Sequence, residues 1–352
     1  MMAVQCEGTG WPVWGHDSAV EALRQAVARD RVRHAYLFTG PESIGKTTLA
    51  TIFAQALLCR QPPQPGTPCG ACVACRKVAR GVHPDVQTFS LASQAAASST
   101  KGAKNTTLTI DTVREISATS ALRPMEGRWR VVLVDDAEML QDVAQEAFLK
   151  TLEEPPSFLV LILLCNDAEL LLPTIRSRCQ LIELRPVPRG TIRAGLIELG
   201  CEEELARTLS GMAAGAPGWA IAAWRNPALF EERRAAVAKA LDWIRGSGYD
   251  RLVTAVRLGD GFSKRREETF AELTTLLGVW RDVLLLRTRQ HEYLTVIEAQ
   301  GTAAEIMSRV DALPIQDIHR AVCSVRACIS DLESNVRPRL AMEAMVLQWP
   351  TL

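Results

Sequence analysis

The chain has 352 residues, 47% of them hydrophobic, and 40 basic side chains balance 40 acidic ones, for a formal net charge of zero. That length allows two or three packed domains, and the balance excludes an overall field drawing the chain to nucleic acid or anionic lipid. Its longest apolar run, FLVLILLC at 158–165, is too short to cross a bilayer, and the N-terminus lacks the basic, apolar and small-residue order of a signal peptide. The expectation is a folded cytoplasmic protein with no membrane partner.

In chain order, DSAVEALRQAVAR at 17–29 places Val20, Leu23, Ala26 and Val27 on one helical face, and HAYLFTG at 34–40 reads as a short buried strand running into a glycine. The next residues, GPESIGKT from Gly40 to Thr47, match G-x-x-x-x-G-K-[ST] between that strand and the helical pattern TTLATIFAQALLC. In such a loop Gly40 and Gly45 let backbone N–H groups close around phosphate oxygens, Lys46 reaches the outer phosphates, and Thr47 offers its hydroxyl to Mg²⁺. Thr48 joins this nucleotide-contacting set of ATP or ADP with Mg²⁺. The bland reading is a loop that keeps its shape without nucleotide.

LLCRQPPQPGTPCGACVAC follows, with Cys59, Cys69, Cys72 and Cys75 separated by nine, two and two residues. Four thiolates at this spacing enclose one tetrahedral Zn²⁺ at Zn–S distances of about 2.3 Å and leave no open position for substrate, so the zinc is structural. An iron–sulfur cluster is the alternative for four cysteines. The other six, Cys6, Cys165, Cys179, Cys201, Cys323 and Cys328, lack such spacing and read as buried small apolar residues. From Ser90 to Thr107 the sequence is small and polar without apolar period, which predicts a surface loop.

RVVLVDD at 130–136 is a second buried strand, leading to a helix over about 140–154 that Pro155 and Pro156 must stop, and FLVLILLC is a third, ending at Asn166 and Asp167. Asp135 stands where a Mg²⁺ held by Thr47 needs an outer-shell carboxylate. The residue after it is Asp136, where hydrolysing relatives of such chains carry a glutamate that polarises the attacking water. Aspartate is shorter by one methylene, roughly 1.5 Å, and a displacement on the order of 1 Å costs about a hundredfold in rate. Slow or absent hydrolysis is therefore expected, unless the backbone adjusts to restore the reach.

Continuous apolar strands alternating with helices predict an α/β fold: a parallel sheet covered on both faces, with ligands at the carboxyl ends of the strands. Beyond Val187 the pattern is helical only, and boundaries fall near 187 and near 227, where RNPALF contains an asparagine–proline break. The trailing helices carry Trp243, Leu276, Trp280, Val283, Leu284 and Leu285 at core-like spacing. No recognition helix or aromatic ladder for DNA occurs.

Taken in order, HAYLFTGP, the phosphate loop, the four-cysteine insert, HPDV at 83–86, LRPMEGRWRVVLVDDAE, FLKTLEEPP and LPTIRSRC resemble the AAA+ subunits of bacterial clamp loaders, over the stretch from about Trp14 to about Ala220. The resemblance implies a RecA-like AAA+ P-loop core at 1–186 with the zinc module at 59–75, a small helical lid at 187–226, and a helical collar for oligomerisation at 227–352. It also implies a hetero-pentamer with gamma/tau and delta subunits that sets the ring-shaped sliding clamp on primer–template DNA, touching that DNA only through backbone phosphates. Arg178, in Ser177-Arg178-Cys179, would be supplied in trans to ATP on a neighbour, and Asn166 matches the family's sensor position. Asp135-Asp136-Ala137-Glu138 resembles the stator branch of the family, in which the chain binds ATP and hydrolyses it weakly. A gamma/tau-type motor, whose acidic strand reads D-E-x-H, is the alternative. In GAPGWA at 215–220, Trp219 stands about where motors present a second sensor arginine, and Arg225 is the nearest candidate to compensate. His16 is given no role.

Overall fold

Apolar runs too short to fold alone assemble into one sheet in this computed structural model, which describes residues 10–97, 107–296 and 309–351. The chain divides into two compact units, residues 1–199 with 215–219, and residues 200–214 with 220–352.

The first unit opens with helix α1 (Asp17–Ala28), which buries Val20 and Leu23, and strand β1 (Ala35–Thr39), in which Tyr36 and Phe38 are fully buried. Helices α2 (Lys46–Leu58) and α3 (Val73–Ala79) follow, then β2 (Val86–Phe89), α4 (Leu91–Ala97), α5 (Ile110–Ser120) and β3 (Arg130–Val134). The unit continues through α6 (Asp142–Glu153), β4 (Leu159–Cys165), α7 (Pro173–Arg178), β5 (Gln180–Glu183) and α8 (Arg189–Glu198). The strands lie in the order β2-β3-β4-β1-β5, and each pairing is parallel. Every residue of β3 and of β4 is buried, as expected for central strands covered on both faces. In register, Leu37 of β1 pairs with Leu163 and Val132 of β3 with Leu161, so the residues just beyond β1, β3 and β4 open on one edge of the sheet.

Two edge strands and one helix were not legible in the sequence. β2 and β5 have four residues each, below the length at which periodicity identifies a strand. The polar stretch expected to be a loop forms α4 over Leu91–Ala97, because its alanines favour helix and its turn is closed by reciprocal hydrogen bonds between Ser90 and Ser93. Residues 98–106 of that stretch lie outside the described residues. Before β3 the chain is held by Asp85, fully buried, whose carboxylate accepts the N–H groups of Met125, Glu126 and Gly127 at 2.5–2.8 Å.

The regular elements of the second unit, among the described residues, are all helices. It contains α9 (Glu203–Met212), the later part of α10 (Pro217–Arg225), α11 (Pro227–Arg245), α12 (Gly248–Gly261), α13 (Arg266–Arg287), and the helices Ile315–Glu333 and Pro338–Val346. Asn226 caps α11 by accepting from Ala228 N, which is the local consequence of the asparagine–proline pair. Trp243, Leu276, Trp280 and Val283 are buried as their spacing predicts, and Leu284 and Leu285 pack beside them half-buried. Trp349 joins Trp243 and Trp280 edge-to-face, with centroids 5.2 and 5.6 Å apart. Among the described residues no helix is long and apolar enough to cross a membrane.

Candidate nucleotide site and cysteine centre

Beyond β1 the chain turns through the phosphate-type loop and enters α2 at Lys46. Gly40 adopts φ +149°, and a Cβ there would meet Leu184 O at 2.3 Å; Gly45, at φ +112°, forms the left-handed entry to the helix. Loop, α2 N-terminus and the ends of β3 and β4 enclose a cleft of about 310 Å³. It is lined by Gly45, Lys46, Thr47, Thr48, Asp135, Asp136 and Asn166, together with Glu138 and Gly218. Gly40 forms the base of the turn: its carbonyl accepts from Lys46 Nζ at 2.7 Å. All the nucleotide-site residues expected from the sequence thus meet in one place.

Lys46 is only 9% exposed. Its ammonium donates to Gly40 O, to Pro41 O at 3.0 Å and to Asn166 Oδ1 at 2.7 Å, which engages all three of its donors. Burial lowers the Lys46 pKa from its ordinary value, opposed chiefly by the negative charge of Glu138. Asp135 Oδ2 accepts from Thr47 Oγ1 at 3.4 Å and its Oδ1 accepts from Asp136 N at 3.1 Å. Burial, helped by the charge of Asp136, raises the Asp135 pKa against those hydrogen bonds. A Mg²⁺ between Thr47 and Asp135 would reverse that direction.

Asp136 sits at φ 55°, a left-handed conformation that aspartate tolerates better than most residues, and its Oδ2 accepts from Leu91 N, 3.4 Å away at the start of α4. Glu138, part of the D-D-A-E signature but given no site role by it, accepts from Asn166 N through Oε1 at 2.9 Å. Its Oε2 is buried with no hydrogen-bond partner among the described residues. Its only sequence signal was the unusual acid three residues past Asp135. Gly218 N donates to Ser43 O at 2.9 Å, so GAPGWA does reach the loop, but Trp219 does not line the cleft.

His16, assigned no role from sequence, contacts the same loop through Nε2 and Ile44 O at 3.2 Å. Burial lowers its pKa, opposed by that carbonyl and by Asp17. It lines a second cavity of about 550 Å³ with Asp17, Glu183, Arg185 and Val187. Arg178 ends α7 away from these groups in the contacts it makes: Nη2 pairs with Glu153 Oε1 at 2.7 Å and Nη1 donates to Thr174 O at 3.0 Å. Its side chain is 35% exposed.

The four cysteines also converge. The Sγ atoms of Cys59, Cys69, Cys72 and Cys75 all lie within 4.8 Å of one another, with Cys69 and Cys75 at 3.9 Å. A tetrahedron with Zn–S of about 2.3 Å requires S···S near 3.8 Å, so the set fits a Zn²⁺. Backbone N–H groups of Cys69, Cys72 and Cys75 point at the sulfurs of Cys59, Cys69 and Cys72 at 3.2–3.5 Å, the donor pattern that steadies thiolates. Of the remaining cysteines, Cys165, Cys201 and Cys328 are buried as expected and Cys179 is half-buried. Cys323 is exposed beside His319, contrary to expectation, because its position in Ile315–Glu333 turns it off the buried stripe. Cys6 lies outside the described residues.

Sheet order and the flanking helices define a parallel α/β core of the AAA+ class. The family model described as "DNA polymerase III, delta subunit" matches residues 15–188. DNA polymerase III subunit delta' of Escherichia coli is 31% identical over 310 residues, covering 87% of this chain and 86% of that one. The chain belongs to the clamp-loader subunit family of DNA polymerase III. DNA polymerase III subunit gamma/tau of Mycobacterium bovis is 36% identical over 192 residues, 54% of this chain and 31% of the relative. Subunit tau of E. coli is 34% identical over 209 residues, 58% of this chain and 30% of the relative. The chain thus spans about a third of the length of these gamma/tau relatives. Among solved structures, a gamma subunit-related protein of Thermotoga maritima aligns with 93% of this chain and 97% of its own at 18% identity and a TM-score of 0.39.

Proposed function

We propose that the chain is a delta'-type stator of a bacterial clamp loader: it binds ATP or ADP with Mg²⁺, hydrolyses ATP weakly, and presents Arg178 to ATP on a neighbouring subunit. The observation that carries this reading is the match to the E. coli delta' subunit across both units, where the gamma/tau relatives match little more than half of the chain. Asp136 supports it, since its carboxylate is turned to Leu91 N at the head of α4. Its layout would be a core at 1–186, a lid at 187–226 and a collar at 227–352, in a cytoplasmic hetero-pentamer with gamma/tau and delta subunits. The sliding clamp and the phosphates of primer–template DNA are its further partners.

Within this reading Thr47 and Asp135 hold the Mg²⁺ shell, Lys46 and the α2 N-terminus hold the phosphates, and the cavity beside His16 takes the base end of the nucleotide. Asn166 senses the outer phosphate. Arg178, anchored by Glu153 and Thr174 O, is a preorganised cation at a surface, and a guanidinium brought against a transferring phosphoryl group contributes about 10³–10⁵ in rate. Cys59, Cys69, Cys72 and Cys75 hold a structural Zn²⁺.

The alternative, a gamma/tau-type motor, is favoured by the complete cleft. Mixing the purified chain with gamma/tau and delta subunits tests the choice. The stator reading expects one copy per pentamer and slow turnover by the isolated chain. Turnover at the rate of gamma/tau, abolished by Lys46→Ala, would establish the motor.

A further inference from the structure

Of the three acidic side chains that follow β3 and line the cleft, Asp135, Asp136 and Glu138, the last is the one whose environment asks for a ligand. Asp135 bonds Thr47 and the next peptide N–H, and Asp136 accepts from the α4 N-terminus. Glu138 has one oxygen fixed and one free: Oε1 takes Asn166 N at 2.9 Å, and the buried Oε2 has no partner among the described residues. A buried carboxylate oxygen without a donor is rare and marks a place where a donor is to be supplied. The neighbouring groups identify it. Asn166 carries both the N–H that holds Oε1 and the Oδ1 that holds Lys46 Nζ at 2.7 Å, so Glu138 is two hydrogen bonds from the ammonium that meets the outer phosphate.

We propose that Glu138, rather than Asp136, is the carboxylate that binds the attacking water in this cleft, and that the chain's slow ATP turnover runs through it; this rests on the nucleotide-binding reading above. Lys46 has three donors and three acceptors, so bonding a phosphate requires it to release one. Two of the three are loop carbonyls that shape the cradle, and Asn166 Oδ1 is the side-chain acceptor that can be given up without reshaping it. Its release opens the corner beside Oε2 to one water, held between the Asn166 amide and Glu138. In the step itself the water oxygen forms a bond to the γ-phosphorus and its proton passes to Glu138 Oε2. The bond to the β–γ bridging oxygen breaks, its electron pair stays on the β-phosphate of ADP, and the proton returns to solvent. Asp136, two residues nearer the strand end but facing α4, takes no part in the proton transfer.

The test is single-turnover hydrolysis of γ-labelled ATP by excess full-length chain, with ADP·Mg affinity measured on each variant. Glu138→Gln is expected to lose about 10²-fold or more of the Lys46-dependent rate, the usual worth of a positioned base, with ADP·Mg affinity kept within threefold. Asp136→Asn should lose less than Glu138→Gln. Glu138→Asp, retaining a carboxylate, should recover part of the rate and guards against a folding defect in the amide variant. A larger loss from Asp136→Asn than from Glu138→Gln would overturn the proposal, as would a wild-type chain that binds ATP without any turnover. Failure to bind either nucleotide would remove the nucleotide-binding reading together with the proposal.

Discussion

Lys46 carries the strongest expectation at the scale of single residues. Its ammonium is buried and engaged by two loop carbonyls and by Asn166, so Lys46→Ala removes that tie and, in the proposed reading, the charge that meets the phosphates. ADP·Mg affinity measured by calorimetry should fall by about 10²-fold, roughly 2.7 kcal/mol, and an unchanged affinity would mean the cleft is not the nucleotide site. Lys46, Thr47, Asp135 and Asn166 were legible in the sequence because each sits at a fixed offset from a strand end, and parallel strands bring their carboxyl ends together. Glu138 and His16 were not. Their meaning lies in contacts to Asn166, 28 positions later, and Ile44, 28 positions later, which no local pattern announces.

Two local constructions dominate at the scale of elements. The carboxylate of Asp85 in HPDV gathers three successive N–H groups from the turn that feeds β3. Burial alone would raise its pKa, but those donors outweigh burial and hold it below the ordinary 3.8. The folded group therefore ionises more readily than the unfolded one. Its stabilisation is fully present above the unfolded value and is lost as pH falls through the folded one. Asp85→Ala should cost about 3 kcal/mol in urea unfolding, and the difference between wild type and variant should shrink as pH drops below about 4. A pH-independent difference would assign the loss to packing instead. The second construction is the cysteine module. Elemental analysis should find one zinc per chain, and Cys72→Ser should release it while α2 and the sheet persist by circular dichroism. Iron in place of zinc would contradict the assignment. The module was legible because three of its four ligands fall within seven residues; the short strands β2 and β5 were not, since four residues carry too little periodicity to register.

At the scale of the whole molecule, the family resemblance legible from about Trp14 to Ala220 extends into the helical second unit, since the likeness to the E. coli delta' subunit covers 310 residues, 87% of the chain. Helical cores there are built from interchangeable apolar positions, so sequence motifs fade while the buried stripe of Trp243, Leu276, Trp280 and Val283 remains readable. The extended match is that of a clamp-loader subunit, and the proposed reading gives Arg178 its role within an assembly, as a cation offered to a neighbour. That claim is tested most directly in the reconstituted pentamer, by comparing DNA-stimulated ATP turnover with wild-type chain and with Arg178→Ala after confirming equal assembly by gel filtration. The account expects turnover at the neighbouring gamma/tau site to fall by about 10³-fold or more. Turnover at that site equal to wild type, in a complex of normal composition, would contradict it.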